Sequence, residues 1–235
     1  MSLPRQLEPE VMDSVEEAIA YDQMDHSGVN QLFVDDWISA AGISPAILEN
    51  LGDDFFEVLD LGTGTALIPI ELARRTEDYD SLRILAVDAA VSMLDLARNN
   101  IEVAGLMHRI ALDRVDAKSL EYEDDRFHSA MSNSIIHHLP DPELSVAEAI
   151  RVTRPGGLLF FRDLMRPGSV EEVERLVEMY AGGESGHAQQ MFGDSLRAAL
   201  ELQEMRSIVQ NYGFEAESVQ ATSDRHWTWI ARKPG

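Results

Sequence analysis

Short apolar runs alternate with helical patterns through most of the chain. Runs bounded by turn residues predict buried strands at 58–61, 82–87, 109–115, 127–131 and 158–161, with two more near 214–220 and 226–231. Between most of these runs, apolar residues recur at the spacing of a helix that buries one face. Such alternation is typical of an α/β fold, a doubly wound sheet with helices on both faces.

Two helical patterns precede the first of these strands. The first begins at Val11, and the second has an apolar face formed by Leu32, Phe33, Trp37, Ile38 and Ala41. They predict an N-terminal helical cap or lid, residues 1–50, over a main unit of residues 51–235, the whole forming one structural domain.

A polar cluster stands where the two N-terminal helical patterns meet. It consists of Tyr21, Asp25, His26 and Asn30. We interpret it either as a contact with a ligand or as a solvated loop in which Asp or Asn caps the next helix.

The C-terminal part of the chain predicts helices separated by a loop. Ser169 and Glu172 form a capping box that starts one helix. The glycine-rich stretch 181–194 predicts an irregular, mobile lid, and a second helix follows over 196–212.

Composition narrows the functional classes. A chain of 235 residues with 45% hydrophobic residues can bury one full core, and the absence of cysteine excludes disulfides and thiolate chemistry. The formal net charge of −23 argues against a nucleic-acid partner, because such binding relies on Lys and Arg neutralising phosphates. Solubility or a salt-rich habitat also explains this acidity.

No apolar run approaches the roughly 20 residues of a membrane span, and the first ten residues lack the apolar core of a signal peptide. We therefore expect a cytoplasmic protein that does not engage a membrane.

A glycine turn follows the first strand. Asp60 is followed by Gly62 and Gly64, whose missing Cβ atoms let the backbone approach a ligand at the carboxyl end of the strand. The dinucleotide fingerprint would need a glycine where Leu67 stands, and no phosphate-binding Gly-Lys-Ser or Gly-Lys-Thr follows. Asp88 ends the second strand roughly 20 residues later, where an acid accepts hydrogen bonds from ribose hydroxyls.

This arrangement resembles the first motif of the class I S-adenosylmethionine-dependent methyltransferases, with Ala66 where the third glycine of that motif usually lies. The resemblance implies a Rossmann-like sheet of seven mostly parallel strands whose last strand is antiparallel. It also implies S-adenosylmethionine as the cofactor, bound by Asp60, Gly62, Thr63, Gly64, Asp88, Ala89, Met93, Asp116, Ala117, Asn133 and Tyr21. For two of these an alternative stays open: Met93 as a core residue, and Asp116 as a turn acid before Lys118.

The segment 132–144 resembles the quinone-biosynthesis C-methyltransferases, which act on small molecules. We expect its His137, together with Arg162 and His26, to face the acceptor as catalytic residues. Alternatively, one of the two adjacent histidines packs against the cofactor or the core and the other is structural. Arg162 either holds a substrate carboxylate or pairs with Asp163. Adjacent histidines on a regular element face apart, so His137 and His138 are not expected to act together. No metal site is predicted, because no third ligand stands at a recognisable spacing.

The resemblance implies methyl transfer from S-adenosylmethionine to a small-molecule acceptor by in-line displacement. A catalytically silent protein that binds S-adenosylmethionine for regulation is the alternative, and a dinucleotide-dependent oxidoreductase is disfavoured by the missing glycine. The sequence identifies neither the acceptor nor the oligomeric state. A homodimer is one possibility.

Overall fold

A seven-stranded sheet forms the centre of the computed structural model, which describes residues 3–8, 13–23, 26–44 and 54–235. The strands are β1 (Phe56–Leu61), β2 (Leu82–Asp88), β3 (Ile110–Arg114), β4 (Phe127–Asn133), β5 (Thr153–Leu164), β6 (Val219–Ala221) and β7 (His226–Arg232). Their order in the sheet is β3-β2-β1-β4-β5-β7-β6, and β7 runs antiparallel to both of its neighbours. The predicted Rossmann-like, mostly parallel sheet with an antiparallel last strand is confirmed.

Eight α-helices occur in the described part of the chain. They are α1 (Val15–Asp22), α2 (Ser27–Ala41), α3 (Leu67–Arg75), α4 (Val91–Ala104), α5 (Pro142–Val152), α6 (Val170–Ala181), α7 (Gly186–Ala198) and α8 (Leu202–Asn211). Two short 3-10 turns, Ile136–His138 and Ala216–Ser218, interrupt the connections. The predicted helix start at Val11, the polar Asp25 and the predicted boundary at residue 50 lie outside the described residues.

Alternating side chains of the strands build a core on each face of the sheet. Leu59 and Leu61 of β1 pack with α5 and α8, whereas Phe56 and Val58 pack with α2, α3 and α4. This follows from the period of two along a strand, which sends successive side chains to opposite faces. Helices therefore cover both faces of the sheet.

Helix α2 belongs to one of these helix layers. Phe33 makes an edge-to-face contact with Phe160 of β5, with ring centroids 5.0 Å apart, and Trp37 Nε1 donates to Ser129 Oγ of β4 at 3.2 Å. The helix thus lies against the sheet, and only its first turns reach the carboxyl ends of the strands.

The prediction of an irregular stretch at 181–194 is wrong, because most of these residues belong to helix α7. Ser185 caps the helix by accepting from Ala188 N at 3.2 Å, which offsets the helix-breaking glycine at its start. Gly193 faces α6, where an added Cβ would lie in ordinary contact with Val177 at 3.4 Å.

The predicted helix 196–212 is also wrong as one element. It breaks between α7 and α8, where Glu201 and Glu204 form a capping box that starts α8. The strand predicted near 214–220 is shorter than expected, because a 3-10 turn precedes β6.

Among the residues that the structure describes, no helix is both long and apolar enough to cross a membrane.

Candidate functional site

The glycine turn after β1 requires glycine for two separate reasons. Gly62 has φ +70° and Gly64 has φ +55°, values that favour glycine. A Cβ on Gly62 would also lie 2.6 Å from Cδ1 of Ile135, so the segment after β4 closes directly over the turn. Backbone N–H groups of Gly62 and Thr63 both donate to Val87 O at 2.9 Å, which ties the turn to β2.

Ala66 also has a left-handed backbone, with φ +64°, at the N-cap of α3. This is the position where the resembled motif usually has its third glycine.

A small cleft, with a cavity volume of about 20 Å³, opens at this turn. It is lined by Tyr21, Asn30, Asp60, Gly62, Thr63, Thr65, Leu67, Ile68 and Asn133. Five of these are predicted cofactor-binding residues, brought together from α1, β1, the glycine turn and β4. The hydroxyl of Thr65 is buried with no hydrogen-bond partner among the described residues, so the cleft wall holds a polar atom available to a ligand.

Sequence reasoning missed part of this wall. Thr65, Leu67 and Ile68 lie directly after the glycines, so the turn itself could have indicated them. Asn30 belongs to the polar cluster at 21–30 and had no predicted role in binding the cofactor. It reaches the cleft from the first turns of α2.

Buried acids give the cleft its electrostatic character. Burial raises the pKa of Asp60 to about 7, and the neighbouring Asp88 carboxylate adds to the rise. Burial also raises the pKa of Tyr21 to about 12, with further contributions from Asp88 and Asp60. The Tyr21 hydroxyl therefore stays protonated at neutral pH, and the site favours a cationic ligand.

Asp88 holds the glycine turn from the end of β2. Its Oδ2 accepts from Gly64 N at 2.8 Å and its Oδ1 accepts from Ala90 N at 2.9 Å, while burial raises its pKa. A carboxylate oxygen accepts more than one hydrogen bond, so both oxygens keep capacity for a ligand. Its predicted partner, the ribose of the cofactor, stays a prediction.

The other predicted cofactor residues flank this centre. Met93 is buried in α4 and packs in a small cluster with Ala18 and Tyr21, which agrees with the core alternative, while its contact with the cofactor stays a prediction. Ala89 is half-buried after β2, and Ala117 is buried in the core.

Asp116 has the turn contacts that the alternative interpretation expected. It is half-exposed, accepts from Lys118 N at 2.9 Å, and lies 3.0 Å from Lys118 Nζ. Burial is the largest single influence and opposes the effect, but the hydrogen bonds and the charge of Lys118 together lower the pKa of Asp116. Its role in binding the cofactor stays a prediction.

Asp163 organises the segment after β4. Its carboxylate accepts from Ile136 N at 2.6 Å, from Leu164 N at 2.6 Å, and contacts His137 Nδ1 at 2.5 Å. Burial alone would lower the pKa of His137, but the Asp163 carboxylate outweighs it and raises that pKa.

Arg162 does not pair with Asp163, contrary to one of the two interpretations. Its Nη2 donates to Asp36 of α2 at 2.6 Å and its Nε donates to Thr228 Oγ1 at 2.9 Å. Adjacent residues of a strand point to opposite faces, which separates the two side chains.

The two adjacent histidines do share a neighbour, contrary to expectation. Their rings lie 4.1 Å apart between centroids, and both approach the carboxylate of Glu8. The expectation failed because this segment is a tight 3-10 turn and not a regular strand or α-helix. Glu8 comes from the N-terminal segment and was not singled out by any local pattern.

His26 packs on Tyr21. Its Nε2 contacts Tyr21 O at 3.0 Å and its ring centroid lies 4.5 Å from that of Tyr21. The structure thus brings Tyr21 and His26 together, at the wall of the cleft.

Comparison with known proteins shows a sequence similarity to methyltransferases in the central part of the chain. Residues 58–157 match a family model described as a methyltransferase domain. The demethylmenaquinone methyltransferase of Desulfitobacterium hafniense (strain Y51) is 32% identical over 110 residues, 47% of this chain and 43% of that protein. The chain spans less than half the length of the relatives that are 30–32% identical to it.

Solved structures share the fold over most of this chain. A SAM-dependent methyltransferase from Aquifex aeolicus superposes with a TM-score of 0.62 at 15% identity, covering 94% of this chain and 98% of that one. The plantazolicin methyltransferase BamL, solved in complex with a triazolic desmethylPZN analog and SAH, gives 0.65 at 15% identity, covering 87% and 70%. Residues 58–157 are thus similar in sequence to methyltransferase domains, and most of the chain shares its fold with these solved structures.

Proposed function

We propose that this chain transfers a methyl group from S-adenosylmethionine to a small-molecule acceptor. The observation that carries the proposal is the cleft at the glycine turn, where Gly62 leaves no room for a Cβ, the buried Asp60 lines the wall, and Asp88 holds the turn through Gly64 N. When bound, S-adenosylmethionine supplies an electrophilic methyl carbon on a sulfonium sulfur.

The residues present fit that cofactor. Its sulfonium and ammonium groups are cationic, and the acids of the cleft complement them. The orphaned hydroxyl of Thr65 offers a further hydrogen bond. Gly62, Thr63 and Gly64 would then pass close to the methionine part.

The remaining cofactor contacts are also part of the proposal. Asp88 and Ala89 would hold the ribose, and Met93, Asp116 and Ala117 would surround the adenine. Tyr21 and Asn133 would close the cleft from two sides, which agrees with their position in its wall. Tyr21 and Asn30 reach the cleft from the N-terminal helices, which supports the division into a cap, residues 1–50, and a main unit, residues 51–235.

The acceptor side needs alignment and exclusion of water more than a dedicated base. We assign Arg162, His137 and His26 to this side. Nδ1 of His137 is bound to Asp163, so only Nε2 is left to accept a proton from an acceptor. Nε2 of His26 contacts Tyr21 O, so its Nδ1 is the atom available to an acceptor. Arg162 would bind an acidic acceptor by exchanging its contact with the half-exposed Asp36.

The experiment is an acceptor screen with S-adenosylmethionine. Quinols, phenols and small carboxylic acids are incubated with the protein, and S-adenosylhomocysteine and methylated products are measured by mass spectrometry. We expect product with one acceptor class, formed in step with S-adenosylhomocysteine. Tight cofactor binding without transfer to any class would instead support the silent regulatory alternative.

A further inference from the structure

Three potential metal ligands converge beside the end of β4. Oε1 of Glu8 lies 3.5 Å from Nε2 of His137 and 3.0 Å from Nδ1 of His138. One ligand atom from each residue lies within 4.8 Å of the others. Glu8 is far from the histidines in sequence, so the fold alone creates this cluster.

The separations fit one shared cation. Zinc bonds of about 2.0–2.2 Å in tetrahedral geometry place neighbouring ligand atoms about 3.3 Å apart. The two measured separations bracket that value. Nδ1 of His138 is also buried without a hydrogen-bond partner among the described residues, although Oε1 of Glu8 is 3.0 Å away. A nitrogen close to a carboxylate oxygen but not hydrogen-bonded to it is the expected arrangement of two ligands of one ion.

Outer groups orient these ligands. Asp163 binds Nδ1 of His137 at 2.5 Å, which presents Nε2 to the cluster, as in carboxylate–histidine–metal arrangements. Ser195 Oγ lies 3.2 and 3.3 Å from the two carboxylate oxygens of Glu8. Arg5 donates to the carbonyls of His137 and Leu139, so the N-terminal segment is held against the histidine turn.

We propose that Glu8, His137 and His138 form a binding site for a borderline divalent cation of the Zn²⁺ type. Two imidazole nitrogens and one carboxylate suit Zn²⁺ or Fe²⁺, whereas Mg²⁺ and Ca²⁺ prefer oxygen ligands alone. Three protein ligands leave a fourth position open to water or to an exogenous donor. The side chains of His138 and Glu8 are 18% and 14% exposed, which gives the ion a path into the cluster.

The site shares His137 with the proposed acceptor side, but it involves none of the residues proposed to bind the cofactor. A bound cation takes the same Nε2 that proton transfer would need. Without a cation, Glu8 lies beside both histidines and His137 keeps its contact with Asp163.

The test is a calorimetric titration of the full chain with Zn²⁺ after treatment with a chelator, with Mg²⁺ as the comparison ion. We expect one Zn²⁺ per chain and no saturable Mg²⁺ binding at the same concentrations. Glu8→Gln and His138→Asn should each weaken Zn²⁺ binding by about 100-fold or more, since outer-shell changes alone cost about 10–100-fold.

Glu184→Gln and His108→Asn, both at exposed positions, are the matched controls and should bind Zn²⁺ as the parent does. Circular dichroism checks that each variant is folded. The proposal is overturned by a folded parent protein that does not bind Zn²⁺, or by unchanged Zn²⁺ affinity in either Glu8→Gln or His138→Asn. Neither outcome bears on cofactor binding, which is measured separately.

Discussion

Gly62 shows how one residue joins two elements of the site. Its left-handed backbone and its contact with Ile135 both exclude a side chain, so the glycine turn and the segment after β4 can meet. The sequence predicted the first requirement from the motif. It could not predict the second, because a contact between segments far apart in the chain leaves no local pattern.

Replacing Gly62 with alanine separates these two requirements. The left-handed backbone costs an alanine about 1–2 kcal/mol, and overpacking against Ile135 adds about 1–3 kcal/mol. We therefore expect Gly62→Ala to lower the free energy of unfolding by about 2–5 kcal/mol in denaturant titrations.

Gly105 provides the matched control, since it has φ +73° and nothing within 4 Å of an added Cβ. Gly105→Ala should show only the backbone cost. Equal losses in the two variants would mean that Ile135 does not press on the turn.

Asp60 makes cofactor binding depend on pH. Its pKa of about 7 is raised above the ordinary value, so its contribution to the stability of the unliganded protein is present at low pH and lost as pH rises through about 7. A cationic cofactor favours the ionised carboxylate of Asp60. The affinity for this cofactor should therefore rise with pH, opposite to the contribution of Asp60 to stability. Asp88, whose pKa is also raised, acts in the same direction, while Tyr21 stays neutral.

We expect the affinity for S-adenosylmethionine to rise between about pH 5.5 and about pH 7 and then to level off. Calorimetry across this range measures it. Asp60→Asn should flatten most of the dependence, and an equally steep profile in that variant would remove Asp60 as its cause.

At the scale of elements, buried side chains decide where helices end and how they meet the sheet. Arg109, 4% exposed, donates to the carbonyls of Ala73 and Thr76 at the end of α3, and to Tyr79 O in the following loop. Its guanidinium satisfies carbonyls that the helix leaves unpaired. The strand pattern predicted the position of Arg109 but not this role, which depends on tertiary contacts.

Arg109→Lys should lower the free energy of unfolding by about 2–4 kcal/mol, because one ammonium cannot replace the donors of a planar guanidinium. Arg74→Lys, at an exposed position of the last turn of α3, should change it by about 0.5 kcal/mol or less. Thermal or denaturant unfolding measures both variants, and similar small losses would contradict the capping role of Arg109.

The elements that the sequence predicted best are those with strong local patterns. The strands from β1 to β4 and their helices follow the apolar runs closely. The stretch at 181–194 failed because its glycines indicated a loop, whereas Ser185 caps a helix and Gly193 packs against α6. The strand predicted at 158–161 extends further in both directions as β5, and its pairing with β4 shifts between Phe127 and Ser129.

At the scale of the whole molecule, the fold brings Asp60 and Asp88 together at the carboxyl ends of the neighbouring strands β1 and β2. The glycine motif and Asp88 predicted a cofactor site at these strand ends. The contribution of Tyr21 and Asn30 from the N-terminal helices, and of Glu8 from the first described segment, depends on how those segments dock. Docking of this kind is set by side-chain fit and not by periodicity, so the sequence indicated it only in part.

The central claim is that the glycine turn, Asp60 and Asp88 form an S-adenosylmethionine site, and calorimetric titration with S-adenosylmethionine and S-adenosylhomocysteine tests it most directly. We predict micromolar binding of both, and Asp88→Ala should weaken it by about 2–3 kcal/mol through two lost charge-assisted hydrogen bonds. Asp95→Ala, at an exposed position of α4, should bind as the parent does. A folded, ligand-free protein that binds neither compound, or Asp88→Ala with unchanged affinity, would contradict the claim.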